Sequence, residues 1–157
     1  SKVEAEHLLQ RWSVRHPGVR VVAARLFNVV GPGDTNPHVV PELCGRVRDG
    51  EPIEVGNVWP RRDYVHVDDV VRALTTLAEH APTGYSVWNV GTGAAATVEG
   101  ILTIATTITE RDVEWRSVPE RRRAQDGHLV ADITKIRTLL GWEPEHDLYD
   151  AVEELVA

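Results

Sequence analysis

The segment Val19-Arg20-Val21-Val22-Ala23-Ala24-Arg25-Leu26-Phe27-Asn28-Val29-Val30-Gly31-Pro32-Gly33 decides the class of fold. Val19 to Phe27 is a Val-rich apolar run interrupted only by Arg20 and Arg25, and its length suits a buried strand. Gly31-Pro32-Gly33-Asp34 and Pro37 then break the pattern. Upstream, Ala5, Leu8, Leu9 and Trp12 recur at i, i+3, i+4 and i+7, the stripe of an amphipathic helix that Pro17-Gly18 ends. Downstream, Val40, Leu43, Cys44 and Val47 form a second helical stripe, ended by Asp49-Gly50.

The same alternation continues. Ile53 to Val55 and Tyr64 to Val67 read as short strands flanking a polar, Arg-bearing turn, and Asp68-Asp69 reads as the cap of a helix carrying Val70, Ala73, Leu74 and Leu77 inward. Tyr85 to Val90 is a further strand, and Thr97 caps a helix with Val98, Ile101, Leu102, Ala105 and Ile108 inward. Val113 to Val118 reads as a strand and Pro119 to Gly127 as an Arg-rich loop. Asp132 caps a helix bearing Ile133, Ile136, Leu139 and Leu140, stopped by Gly141, and Leu148, Ala151, Val152 and Leu155 mark the last helix. Strands alternating with helices predict an α/β fold with a largely parallel sheet.

Composition bounds the chemistry. The 157 residues are 42% hydrophobic and 26% charged, which suits one compact domain with its own core. Lys plus Arg number 17 against 24 Asp plus Glu, a formal charge of −7, so no global positive field holds a nucleic acid or an anionic membrane. Any bound anion must be gripped by a local arginine cluster. Cys44 is the single cysteine and cannot form an internal disulfide, and no apolar run approaches the ~20 residues that span a bilayer. A cytoplasmic location is the expectation. Ser1-Lys2-Val3-Glu4-Ala5-Glu6 reads as the inside of a helix with no leader ahead of it, as in a piece of a longer polypeptide.

Three groups of residues carry candidate chemistry. Gly91-Thr92-Gly93-Ala94-Ala95-Ala96 follows a strand, precedes a helix and fits a G-x-G-x-x-A dinucleotide loop, or else a plain tight turn. Arg61-Arg62 and Arg121-Arg122-Arg123 place guanidinium forks in loops, where they suit phosphate oxygens or else form a solvated face. Asn28 stands at the carboxyl end of a strand, where open α/β sheets bind ligands. His7, His16, His38, His66, His80, His128 and His146 show no i, i+4 pair and no cysteine at ligand spacing, so no metal site is expected and most should lie at the surface. The Asp68-Asp69 pair is expected to cap rather than to catalyse.

Five stretches in series resemble the extended short-chain dehydrogenase/reductases that act on nucleotide sugars. They are Ser1-Lys2, Arg25 to Gly33, Arg62-Asp63-Tyr64-Val65-His66-Val67-Asp68-Asp69, Trp88-Asn89-Val90-Gly91-Thr92-Gly93 and Leu140-Gly141-Trp142-Glu143-Pro144. The resemblance implies the C-terminal part of an NAD(P)-binding Rossmann fold, with residues 1–34 ending that domain and 35–157 forming mainly a small substrate-binding α/β subdomain. It moves the Gly91–Gly93 loop out of the cofactor site, and it places the true glycine loop and the catalytic Tyr, three positions before Ser1, upstream of this chain.

The resemblance further implies that Lys2 is the lysine of a Tyr-x-x-x-Lys pair, holding the nicotinamide ribose and lowering the pKa of that Tyr. Without it, Lys2 reads as a surface lysine paired with Glu6. Leu26 and Phe27 match cofactor-facing positions, and Asn28 one that faces the sugar diphosphate. Val39 and Val55 match segments that wrap the nucleobase, Arg62 and Arg123 the arginines on the diphosphate, and Asp126 the acid on the ribose; the stretch from Asp126 to Asp132 is one residue shorter than the usual pattern. The turn Val55-Gly56-Asn57 to Asp63 looks closest to the GDP-mannose 4,6-dehydratase and GDP-4-keto-6-deoxymannose reductase branch. The implied protein is a homodimer using NAD or NADP at C4 of a nucleotide hexose, with this chain inactive alone. The alternative is a non-catalytic nucleotide-sugar-binding or scaffold module completed by a partner chain.

Overall fold

The structure, a computed structural model, describes residues 1–34, 38–119 and 127–157. The elements in chain order are α1 (Lys2–Arg15), β1 (Arg20–Leu26), β2 (Asn28–Val30), α2 (Val39–Asp49), β3 (Ile53–Val55) and β4 (Tyr64–His66), then α3 (Val67–His80), β5 (Gly84–Val90), α4 (Val98–Thr109), β6 (Trp115–Ser117), α5 (Thr134–Leu140) and α6 (Leu148–Val156). The α/β class is as the alternation predicts. Among the described residues every strand pair is parallel, but the strands form three two-stranded sheets, β1–β5, β2–β4 and β3–β6, instead of one continuous sheet. The division has a local cause: the Phe27 N–H donates to the Val90 carbonyl at 3.0 Å, whereas the next N–H, of Asn28, donates to the Asp63 carbonyl at 3.2 Å. The chain therefore changes partner strands between two consecutive residues, and the Val-rich run continues past Asn28 as a separate strand.

Two apolar cores hold these pairs. One gathers Val30, Leu43, Val47 and Ile53 with Ile101 and Val152, joining α2, α4 and α6. The other packs Val65, Leu77, Trp88 and Val90 against Ile136 and Trp142. Helix ends follow the expected chemistry at several points. Thr97 accepts from the Gly100 N–H, and Gly50 and Gly141 end α2 and α5 in the left-handed conformation at φ 73° and 67°.

Other local expectations need correction. Leu8, Leu9 and Trp12 lie exposed, so the stripe of α1 faces away from both cores, and Leu74 and Leu139 are exposed as well. Asp68 and Asp69 do not cap α3; His66 does, its Nδ1 accepting from the Asp68 N–H at 3.2 Å. Ile133 takes the N-cap position of α5, although the Asp132 carboxylate still accepts from the Thr134 N–H at 3.0 Å. Cys44 is buried, and burial pushes its thiol pKa up to about 11, which keeps it inert. Among the described residues no helix is long and apolar enough to cross a membrane.

Candidate functional site

Asp63 organises the site from beneath. It is wholly buried, and its Oδ1 accepts from the N–H and the hydroxyl of Thr92 at 2.8 and 2.7 Å, while Oδ2 accepts from the N–H groups of Gly93 and Ala131 at 2.9 and 3.0 Å. The Gly-Thr-Gly turn is thus an anion cradle already filled by the protein's own carboxylate, which bars it from holding a pyrophosphate. A Cβ at Gly91 would lie 2.5 Å from the Ala131 Cβ and 2.9 Å from Asp63 Oδ2, which is why glycine is needed there. The Asp63 carbonyl faces the other way and accepts from the Asn28 side-chain amide at 2.8 Å. Sequence reading gives Asp63 no role of its own because its partners, Thr92, Gly93 and Ala131, are remote in the chain.

Arg62 is pinned through its backbone, exchanging hydrogen bonds with Ala96 at 3.0 and 2.9 Å. Its Nη1 donates to the Arg61 carbonyl at 3.0 Å and to the Gly127 carbonyl. Arg62 borders a cavity of about 420 Å³ between α2 and β3. Val39 and Val55 line the same cavity, so three of the residues singled out from sequence converge on one space. Leu43 and Val98 add apolar wall, and Glu42, Arg46 and Glu54 add charge. Tyr64 borders it too and separates it from a second cavity of about 500 Å³ lined by Thr92, Ala94 to Ala96 and the segment Pro144 to Tyr149. Burial raises the Tyr64 phenol pKa, with the nearby Arg62 charge opposing, so the ring stays neutral. Arg123 and Asp126 lie outside the described residues.

Lys2, Leu26 and Phe27 are not among the residues that line this cavity. Arg25 Nε and Nη2 donate to the two oxygens of Glu6 at 2.8 and 2.6 Å, a bidentate pair that fastens the start of α1 beside the carboxyl end of β1. Glu6 is therefore engaged by Arg25 and not by Lys2. Its carboxyl pKa is lowered chiefly by that hydrogen bond, although the pair is exposed to solvent. Lys2, one helical turn before Glu6, and Leu26 are exposed, and Phe27 is half-buried.

His66 departs from the surface reading of the histidines: it is 2% exposed and stacks on His146 with ring centroids 4.4 Å apart. His66, Asp68 and His146 bring ligand atoms within 4.8 Å of one another. The chemistry of this group is that of a latch. His66 Nδ1 accepts a backbone N–H, which leaves the proton on Nε2 to donate to Glu154 at 3.1 Å, so both of its ring nitrogens are engaged within the protein. Below them the buried Asp69 accepts from the N–H groups of Glu145 and His146 at 3.0 and 2.9 Å and from Arg72 at 2.6 Å. These contacts tie the segment before α6 to the first turn of α3.

Residues 1–91 of the 157, more than half of the chain, match the family described as NAD dependent epimerase/dehydratase. The chain belongs to that family. Among curated relatives, the epimerase/dehydratase chain is 28% identical to GDP-6-deoxy-D-mannose reductase of Pseudomonas aeruginosa, over 100% of its own length and 53% of that protein. Among solved structures, RMD from Pseudomonas aeruginosa in complex with NADPH superposes with a TM-score of 0.86 at 26% identity, covering 98% of this chain and 52% of that one. UDP-glucose 4-epimerase from Thermotoga maritima with UDP-glucose gives 0.83 at 30% identity, covering 98% and 50%. The chain spans about half the length of the curated relatives it matches. Those structures share the Rossmann-like α/β fold, and this chain matches its C-terminal part.

Proposed function

We propose that this chain carries the nucleotide-binding end of an enzyme that acts at C4 of a nucleotide-diphosphate hexose, as an epimerase, 4,6-dehydratase or 4-ketoreductase. The observation that carries the reading is the convergence of Val39, Val55 and Arg62 on one cavity. Aliphatic walls take the flat base, and Arg62 at the rim takes the diphosphate, where a preoriented guanidinium forms two parallel hydrogen bonds to phosphate oxygens. Arg123 joins Arg62 on the diphosphate and Asp126 takes the ribose hydroxyls. The Arg62 contact to the Gly127 carbonyl supports this, because the chain leaving Asp126 passes beside that guanidinium. Asn28, held through Asp63, faces the same diphosphate from the strand end.

NAD or NADP is the cofactor, accepting or supplying the hydride when bound. The residues at the start of α1 fit its nicotinamide riboside end: Lys2 hydrogen-bonds the ribose and holds a positive charge that favours the phenolate of the partner Tyr, while Leu26 and Phe27 offer apolar surface. The Gly91–Gly93 turn takes no part, being filled by Asp63. On this reading residues 1–34 serve the cofactor and 35–157 mainly the nucleotide sugar, and the intact enzyme is a homodimer. The 157-residue chain binds substrate without turning it over, because the acid–base Tyr of the family pattern falls outside it.

Equilibrium dialysis with UDP-glucose and GDP-mannose, without dinucleotide, tests the reading. Saturable binding that Arg62→Ala weakens about ten-fold or more is expected, from the loss of charge-assisted hydrogen bonds. Binding indifferent to Arg62→Ala, or turnover by the isolated chain with NAD(P), would count against it.

A further inference from the structure

The chain before α5 returns alongside Arg61 to Asp63 in a short parallel pairing centred on Arg62 and Leu129. Its rungs are the Leu129 N–H donating to the Arg61 carbonyl and the Asp63 N–H donating to the Leu129 carbonyl, both at 3.0 Å. The even spacing of a parallel ladder puts the next rung between the Arg61 N–H and the Gly127 carbonyl. Here that rung is replaced. The Arg61 N–H donates to Nδ1 of His128 at 3.2 Å, and the Gly127 carbonyl accepts from Arg62 Nη1.

By taking the Arg61 N–H, the imidazole leaves the Gly127 carbonyl to the guanidinium. Arg62 Nη1 also donates to the Arg61 carbonyl at 3.0 Å, so the two acceptors that orient this side chain belong to the residue His128 holds and to the residue before His128 itself. The contact requires a neutral ring. A backbone N–H only donates, so Nδ1 must carry a lone pair while the proton sits on Nε2. Protonation of Nδ1 sets a donor against a donor. The charged groups of the segment paired with this return are Arg61, Arg62 and Asp63, and Asp63 spends its carboxylate on Thr92, Gly93 and Ala131, so a protonated ring also adds like charge to two arginines. Ala96, paired with Arg62 on its other side, is uncharged.

We infer that His128 is a positioning residue for Arg62: its neutral imidazole occupies the Arg61 N–H, leaves the Gly127 carbonyl to the guanidinium, and lets go when it takes up a proton. The inference rests on the reading of Arg62 as a ligand of the diphosphate and adds what aims it. Histidine is the side chain that changes charge near neutral pH, so the aim of Arg62 becomes sensitive to acid.

Two variants test it. In His128→Asn the Oδ1 atom stands where Nδ1 does and does not titrate, whereas His128→Ala removes the acceptor. Magnetic resonance of the isotope-labelled chain without ligand, from about pH 8 to about pH 5, should show the Arg61 amide signal moving in step with protonation of the His128 ring, and staying put in His128→Asn. Calorimetric titration with UDP-glucose at about pH 8, above the usual range of histidine titration, should find His128→Asn close to the parent and His128→Ala about three-fold or more weaker. His128 is exposed, so thermal melts of both variants should match the parent and separate a lost contact from a lost fold. An Arg61 amide indifferent to protonation of the His128 ring, or equal affinities in the Asn and Ala variants, would overturn the positioning role and leave the nucleotide reading standing. Failure of the parent to bind UDP-glucose would remove the nucleotide reading and the positioning role with it, whatever the Arg61 amide did.

Discussion

Two buried carboxylates do different work from any expected of acids in an acidic chain. Asp63 replaces the phosphate that a Gly-x-Gly turn invites, and Asp69 replaces the cap that Asp68-Asp69 suggests. In both cases the partners sit remote in sequence, so residue type and local spacing predict a turn and a cap while the fold supplies a hub and a clasp. Burial opposes ionisation of Asp69, yet the N–H of Glu145, the Arg72 guanidinium and the N–H of His146 outweigh it and hold the pKa below the ordinary 3.8. A carboxylate depressed on folding stabilises the native state above its unfolded pKa, and that contribution fades as pH falls through the lower, folded value. Urea midpoints measured from about pH 7 down to about pH 2 should therefore drop steeply at the acid end, and Asp69→Asn should lower the neutral-pH midpoint and flatten the acid limb. An acid limb identical in parent and variant would place the sensitivity elsewhere.

At the scale of elements, apolar periodicity makes most helices and strands legible in the sequence, because each must bury one stripe or one face. Its failure at α1 is informative. Leu8 and Trp12 are 56% and 45% exposed although they carry a clear helical stripe, so the stripe is not a face of either core. Nor can periodicity separate β1 from β2, since the change of partner at Phe27 and Asn28 depends on Val90 and Asp63. The turn after β5 is a tight joint between elements, with Gly91 wedged against Ala131 and Asp63. Gly91→Ala should cost about 1–3 kcal/mol from overpacking, read as a lowered denaturant midpoint with unchanged slope. The same substitution at Gly127, where a Cβ meets nothing within 4 Å, should be close to neutral and serves as the control.

For the whole molecule, α2, β3 and the segment before β4 bring residues distant in sequence around one cavity. Sequence reading singles out Val39, Val55 and Arg62 one by one, but only the fold shows them around a single cavity, with Tyr64 standing between it and the neighbouring one. The most direct test is an amide chemical-shift map of the isotope-labelled chain titrated with GDP in the absence of dinucleotide. A nucleotide seated between α2 and β3 should give saturable shifts at Leu43, Val55 to Asn57 and Arg62, with the amides of α1 unmoved. Shifts confined to the segment Pro144 to Tyr149 or to α1, or no saturable shift at the cavity between α2 and β3, would contradict it.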